Sequence, residues 1–331
     1  MKKSLALLLI LIIATTQHVF SQALPDSIQS YVMEALDIMR ENSINKHSIN
    51  WEKLYTETLD EANKAKTIRD TYPVIYSATQ KLEDGHSKFY SKELVEAHLV
   101  GYRALGQKMP MPSGNMIDGK YAYIIVPAFG VFDPDEQLLY ADSLQAIIRA
   151  LDAQHPKGWI IDLRHNDGGN MHPMLAGLAP LLGEGELLGW QTPDHKVEYS
   201  AYKNGVVRDI HGKEYTIPAP YAGKNTKAPM SILISGNTAS SAEMVAAAFI
   251  GRQKTKLIGT RTNGLTTSNT LYKLSDGAYL NLTTSKMVDR TGKVYGEKIA
   301  PDVEVQLTRS ATTNSYLYIS TAIQHINKPK K

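Results

Sequence analysis

The period of the hydrophobic positions changes near residue 100. Before that point apolar residues recur every three or four positions, as they do on one face of a helix. The first such set is Ile28, Tyr31, Val32, Ala35, Leu36 and Met39. A second set begins at Trp51, and a third helix is predicted to begin at Pro73 and to end at Gly85. The segment from Pro25 to about Val100 is therefore predicted to be helical.

From about residue 101 the pattern alternates between strands and helices. Short apolar runs predict strands at 121–126, 159–163, 231–234 and 256–258, and such runs are typical of strands buried on both faces. Helices are predicted from the capping box 133–136 onward, from Ser240 to about Ile250, and near the C-terminus. The intervening residues 185–228 predict hairpins or loops, and Ser275-Asp276-Gly277 predicts a hairpin turn between 271–274 and 278–282.

The N-terminus has the features of a secretory signal peptide. Lys2 and Lys3 precede an uncharged apolar run from Leu5 to Ala14, and Ser21 follows at the expected cleavage point. The run is shorter than the roughly 20 residues of a membrane-spanning helix, so cleavage is favoured over the alternative of an uncleaved anchor. We therefore expect an exported protein, periplasmic or extracellular, with no stable membrane insertion after cleavage.

These patterns together predict four segments along the chain. They are a signal peptide (1–21), an N-terminal helical subdomain (22–100), a core (101–312), and a C-terminal helix with a basic tail (313–331).

The amino-acid composition limits the classes of protein and the catalytic groups that are possible. The chain has 331 residues with 43% hydrophobic and 21% charged residues, which is typical of a globular protein. A net charge of +3 is too small to suggest a nucleic-acid partner. The absence of cysteine excludes disulfides, thiolate metal sites and a cysteine nucleophile. Covalent catalysis would therefore have to use Ser, Thr, Lys, His or a carboxylate.

Two segments concentrate residues that could act in catalysis. Asp162–Gly169 and Thr238–Glu243 each follow a predicted buried strand and precede a predicted helix. Glycines allow the backbone to approach a ligand, and helix N-termini favour negative charge. Taken alone, the first segment also fits an ordinary turn, and Ser240 also fits an ordinary helix N-cap.

Together with Tyr295–Asp302, the two segments resemble peptidase family S41, the tail-specific proteases and their tricorn-like relatives. The resemblance covers about residues 119–306. It implies an α/β fold with a crotonase/ClpP-like β/α core. The matching nucleophile is Ser240, and the implied oxyanion hole consists of the N–H of Gly168 or Gly169 and that of Ser241. No metal or organic cofactor is implied.

The sequence departs from the tail-specific proteases at their catalytic lysine. Leu265 occupies the matching position, and a leucine cannot accept a proton. The segment Asp84–Ser87 resembles the part of tricorn-like members that carries a histidine, so His86 is the expected base. By the same resemblance Glu297 is expected to orient His86. The alternatives are His165, His172 or Lys286 as base, and Asp289 or Asp302 as the orienting carboxylate.

The expected function is an exported serine-type endopeptidase that acts on peptides or proteins. Only 34 residues separate His86 from Tyr121, which leaves no room for a PDZ domain between them. Two alternatives stay open: a non-catalytic ligand-binding member of the same fold, and a hydrolase of other acyl groups such as esters.

Overall fold

The computed structural model describes residues 24–210, 212–225 and 227–328, so the predicted signal peptide lies outside the described residues. The helices are α1 (Asp26–Asn42), α2 (Trp51–Ala62), α3 (Tyr72–Gln80), α4 (Lys92–Leu99), α5 (Gly101–Ala104), α6 (Pro134–Asp152), α7 (Met171–Leu182), α8 (Ser241–Ala248) and α9 (Ala311–Ile326), with a 3₁₀ turn at Ile68–Thr71. The strands are β1 (Lys88–Tyr90), β2 (Ser113–Ile117), β3 (Tyr121–Ile125), β4 (Gly158–Asp162), β5 (Gly185–Gln191), β6 (Val197–Lys203), β7 (Val206–Arg208), β8 (Glu214–Thr216), β9 (Met230–Ile234), β10 (Thr255–Gly259), β11 (Thr267–Lys273), β12 (Tyr279–Val288) and β13 (Val303–Glu304).

A six-stranded sheet forms the centre of the molecule, in the order β13-β10-β9-β4-β3-β2. All neighbours are parallel except the edge strand β2. Strands β4 and β9 are buried at every position, because α6, α7 and α8 cover one face of the sheet and α9 covers the other. The four strands predicted from continuous apolar runs are confirmed, and so is the α/β fold.

A second, antiparallel sheet has the order β1-β12-β5-β6-β7-β8, and β11 also pairs with β12. Helices α1 to α3 bury their apolar faces against the β11–β12 hairpin. The predicted hairpin turn at Ser275-Asp276-Gly277 is confirmed, because the strands flanking it pair with each other. The predicted extended hairpins of residues 185–228 correspond to β5 to β8.

Two features of the N-terminal segment differ from the prediction. The third helix ends at Gln80 instead of Gly85, because the chain turns at Glu83 and Gly85, which both have positive φ. The segment also contains strand β1, which pairs with β12. Three residues are too few to show a period of two, so the sequence pattern alone could not reveal this strand.

The pairing of β1 with β12 determines where the preceding turn lies. Parallel strands β4 and β9 end at the same edge of the central sheet, where ligand sites of α/β folds commonly form. Strand β11 begins near this edge. The pairing of β1 with β12 brings the turn before β1, which carries His86, beside the start of β11. Within the described ranges, no helix is long and apolar enough to cross a membrane.

Candidate active site

Ser240 lies in the turn between β9 and α8, as the residue just before the helix. Its backbone has φ 51° and ψ −121°, a conformation that non-glycine residues adopt rarely and that often marks a functional site. The Ser240 N–H donates to Glu243 Oε2 at 2.9 Å. Ser240 is half-buried, and its hydroxyl faces the turn that carries His86.

Glu243 holds this turn in place from inside the protein. Its side chain is fully buried, and Oε1 accepts hydrogen bonds from the Gly264 N–H at 2.9 Å and from the Thr262 hydroxyl. Burial raises the pKa of Glu243, and the hydrogen bonds that the carboxylate accepts oppose this shift. Glu243 therefore connects the Ser240 turn to the loop that follows β10.

His86 lies between the hydroxyl groups of Ser240 and Thr267. Its Nε2 is 3.5 Å from Ser240 Oγ, and its Nδ1 is 2.8 Å from Thr267 Oγ1. The first distance is longer than an optimal hydrogen bond, as is common for catalytic pairs before substrate binds. The His86 backbone is also fixed, because its N–H donates to Asp84 and its carbonyl accepts from Asn269.

The pKa of His86 is lowered from the ordinary value of histidine, chiefly because burial disfavours the charged imidazolium. The negative charge of Asp84 acts in the opposite direction, and the positive charge of Lys88 adds to the lowering. The lowered pKa favours the neutral imidazole, the form in which it can accept a proton from a serine hydroxyl.

The structure does not bring Glu297 to His86, in contrast to the expectation from the resemblance. Glu297 is exposed, and within the described part of the chain its carboxylate has no hydrogen bond or ion pair. Only its main-chain carbonyl is bound, by the Thr266 hydroxyl at 2.8 Å. The segment Tyr295–Asp302 thus contacts the loop after β10 through the backbone of Glu297. The side chain beside His86 Nδ1 is that of Thr267.

The other candidate side chains have different surroundings. His165 is exposed, and His172 stacks on Tyr215 with ring centroids 4.0 Å apart. Asp289 accepts a hydrogen bond from Tyr295 and Asp302 accepts one from the β10 backbone. Among the residues with described positions, no three His, Cys, Asp or Glu side chains are close enough together to hold a metal ion.

The glycine turn after β4 lies directly against the Ser240 turn. Gly168 and Gly169 have φ of 114° and 98°. A Cβ on Gly168 would be 2.9 Å from Ser240 Cβ, and one on Gly169 would be 2.2 Å from the Phe129 carbonyl oxygen. Both positions therefore require glycine, for the space that it leaves as well as for its backbone conformation.

The N–H groups around this turn have different partners. The Gly168 N–H donates to Asn166 Oδ1 at 2.9 Å, whereas those of Gly169 and Ser241 make no hydrogen bond to any described residue. The Ser241 hydroxyl donates to the Gly169 carbonyl at 2.5 Å, which joins the two turns. A hydroxyl, an imidazole and two available N–H groups are the components of acyl-transfer chemistry.

The charged side chains of Asp162 and Arg164 at the end of β4 have a structural role. Arg164 Nη2 is 2.6 Å from Asp162 Oδ2, and both side chains are buried. Tyr123 donates to the same carboxylate, and the Arg164 guanidinium lies 4.6 Å from the centre of the Tyr318 ring. These contacts hold the end of β4 against β3 and α9, and thereby fix the glycine turn that follows.

The model of peptidase family S41 matches residues 120–305, which is more than half of the chain, and the chain belongs to this family. It is 29% identical to the nisin-resistance protein of Lactococcus lactis subsp. lactis, over 91% of this chain and 89% of that protein. It is also 31% identical to the carboxy-terminal processing protease CtpA of Bacillus subtilis, over 50% of this chain. That match spans about a third (32%) of CtpA.

Solved structures agree with this assignment. A lipoprotein from Streptococcus agalactiae superimposes with a TM-score of 0.72 at 27% identity, over 90% of this chain and 98% of that one. The photosystem II D1 C-terminal processing protease superimposes with a TM-score of 0.57 at 15% identity, which shows a shared fold alone.

Proposed function

We propose that the chain is an exported serine-type endopeptidase with Ser240 as nucleophile and His86 as general base. The observation that carries this proposal is the position of His86, whose Nε2 is 3.5 Å from Ser240 Oγ beside two unused backbone N–H groups. Membership of peptidase family S41 supports the reaction class. The signal-peptide pattern of residues 1–21 supports export.

In the proposed reaction, Ser240 Oγ attacks the carbonyl carbon of a peptide bond while His86 Nε2 accepts the hydroxyl proton. The N–H groups of Gly169 and Ser241 stabilise the resulting oxyanion. The imidazolium then gives the proton to the leaving amine, and an acyl-enzyme forms on Ser240. Water, deprotonated by the same imidazole, hydrolyses the acyl-enzyme and regenerates the free serine.

Thr267 takes the role of positioning residue in this proposal. Its hydroxyl can accept a hydrogen bond from Nδ1–H and so place the lone pair of His86 on Nε2, which faces Ser240. A hydroxyl carries no charge, so it orients the ring without favouring the imidazolium as a carboxylate would.

The test compares Ser240→Ala with Ser310→Ala. Both residues precede a helix, but Ser310 is the exposed N-cap of α9 and lies outside the site. A fluorophosphonate probe should label the wild type and Ser310→Ala, and Ser240→Ala should lose both labelling and peptide hydrolysis. Labelling that survives in a folded Ser240→Ala protein would contradict the assignment of the nucleophile.

Substrate panels separate the remaining alternatives. Because the relative in Lactococcus lactis is named for nisin resistance, nisin belongs in the panel together with unrelated peptides and activated esters. Hydrolysis of peptides supports the endopeptidase, and hydrolysis of esters alone supports the acyl hydrolase. Peptide binding without any turnover or labelling supports the ligand-binding alternative.

A further inference from the structure

A cleft of about 450 Å³ lies between the end of β12 and the segment Lys293–Lys298. Three lysines line it, Lys286, Lys293 and Lys298, together with a single carboxylate, Glu297. We call this feature the lysine cleft. The proposed reaction uses none of these side chains, so the concentration of positive charge here requires a separate explanation.

One contact connects the lysine cleft with His86. Lys286 lies directly opposite Thr267 in the β11–β12 ladder, and directly opposed residues project their side chains on the same face of a sheet. Thr267 Oγ1 is 2.8 Å from His86 Nδ1. The Lys286 side chain crosses Gly296, where a Cβ would be 3.9 Å from its ammonium nitrogen. The Lys286 side chain therefore extends from the strand position opposite Thr267 toward Gly296.

A second, independent contact connects the cleft with the nucleophile. The stem of Lys298 packs on Gly264, where a Cβ would be 3.0 Å from Lys298 Cγ. The Gly264 N–H donates to Glu243, and the other oxygen of that carboxylate accepts from the Ser240 N–H. Lys298 thus packs on the loop that Glu243 connects to Ser240, and Lys286 lies opposite the residue that contacts His86.

The positive charge of the cleft is not neutralised within the protein. Across the described ranges, none of its three lysines forms an ion pair, and Lys293 instead lies 4.8 Å from the centre of the Tyr295 ring. Other lysines in the molecule do form ion pairs, for example Lys81 with Glu57 and Lys256 with Asp302. Three exposed ammonium groups beside one carboxylate attract a further negative charge.

We propose that the lysine cleft binds a carboxylate of the substrate and so makes the enzyme prefer peptides that present one there, an inference that rests on the proposed peptidase function. The carboxylate belongs either to an aspartate or glutamate side chain near the scissile bond or to the C-terminus of the substrate. Because the lysines are exposed, the expected preference is modest, about tenfold, and decreases as salt screens the charges.

The experiment uses one parent peptide in three forms. The first form has a C-terminal amide and one glutamine, which is placed at successive positions in a series of peptides. The second form has glutamate in place of that glutamine. The third form keeps the glutamine but has a free C-terminal carboxylate. kcat/KM is measured for the wild type, for a Lys286→Met/Lys298→Met double variant, and for Lys120→Met. Lys120 is an exposed control lysine in the turn between β2 and β3.

The wild type and Lys120→Met should cleave one of the carboxylate forms about tenfold faster than the neutral form, and the double variant should lose most of that preference. A higher kcat/KM for the peptide with internal glutamate shows that the cleft binds a side-chain carboxylate. A higher kcat/KM for the peptide with a free C-terminus shows that it binds the terminal carboxylate. Equal cleavage of all forms by the wild type, or a preference that persists in the double variant, overturns the inference.

A second readout separates this inference from the proposed function. If the wild type cleaves the neutral peptide without any preference, the peptidase proposal stands and the inference about the cleft is wrong. If the wild type cleaves none of the peptides, the affinity of each form for Ser240→Ala is measured by fluorescence anisotropy. Tighter binding of a carboxylate form that depends on Lys286 and Lys298 supports the cleft, and equal binding of all forms overturns it.

Discussion

Nδ1 of His86 is 2.8 Å from the hydroxyl oxygen of Thr267, a neutral partner in the place where serine hydrolases commonly have a carboxylate. The hydroxyl can fix the orientation of the imidazole, but it supplies no negative charge to favour the imidazolium. Burial therefore dominates, and the pKa of His86 is lowered. Two predictions depend on this relationship.

The first prediction concerns the acidic limb of the pH–rate profile. Neutral His86 is the active form, so activity falls as pH decreases through its pKa, and a lowered pKa moves this limb below the ordinary value of about 6.5. Thr267→Asp places a carboxylate beside Nδ1, favours the imidazolium and should move the limb to higher pH. The dependence of kcat/KM on pH measures both effects.

Glu297→Gln provides the comparison for this experiment. Because the Glu297 carboxylate makes no described contact with His86, its replacement should leave the position of the acidic limb unchanged. A limb that shifts in Glu297→Gln but stays in place in Thr267→Asp would restore Glu297 as the partner of the histidine.

The second prediction concerns the loss of the Thr267 hydroxyl. Thr267→Val keeps the shape of the side chain and removes its hydrogen bond, so the imidazole loses its preferred tautomer and orientation. We expect kcat to fall by about tenfold or more, which corresponds to the roughly 1.5 kcal/mol of one hydrogen bond. Thr267→Ser retains the hydroxyl and should recover most of the rate. Equal rates for the valine and serine variants would show that the hydroxyl has no positioning role.

The third prediction concerns the glycine turn. Gly169→Ala would force a Cβ to within 2.2 Å of the Phe129 carbonyl oxygen, and Gly168→Ala would force one to within 2.9 Å of Ser240 Cβ. Both changes should lower kcat, by about a hundredfold where a donor N–H to the oxyanion moves out of position. Gly236→Ala is the matched control, because a Cβ there meets no atom within 4 Å.

Thermal unfolding distinguishes strain from an effect on chemistry in these variants. Gly169→Ala should also lower Tm, since the contact that it creates is with rigid backbone. If Gly168→Ala and Gly169→Ala retained wild-type kcat, the assignment of this turn to the oxyanion hole would be wrong.

The sequence predicted four of the six strands of the central sheet, β3, β4, β9 and β10, because these strands are continuous apolar runs. It did not predict the edge strands β2 and β13, which are mostly exposed or very short. The turns after β4 and β9 were located from the apolar runs as well: strands β4 and β9 end directly before the glycine turn and before the Thr238–Glu243 segment. Local sequence therefore sufficed to place Ser240 before α8 and Gly168 before α7, and parallel pairing of the two strands brings the turns together.

The partner of His86 could not be predicted in this way. Thr267 reaches the histidine because β1 pairs with one side of β12 while β11 pairs with the other, and this arrangement depends on contacts between residues far apart in sequence. The nearest local signal was the pair Thr266-Thr267 after Leu265, which is also typical of an ordinary strand. Glu297 matched the family pattern in position, but it is exposed and lines the lysine cleft.

The central claim is that His86, and no lysine, activates Ser240, and the kinetics of His86→Ala beside Lys286→Ala test it most directly. Members of such a catalytic unit act together, so His86→Ala should lose nearly as much activity as Ser240→Ala, about a thousandfold or more. Lys286→Ala should keep kcat on a neutral peptide within a few-fold of the wild type, since its proposed contact is with a substrate carboxylate. Full activity in His86→Ala together with loss of activity in Lys286→Ala would contradict the account and assign proton transfer to the lysine.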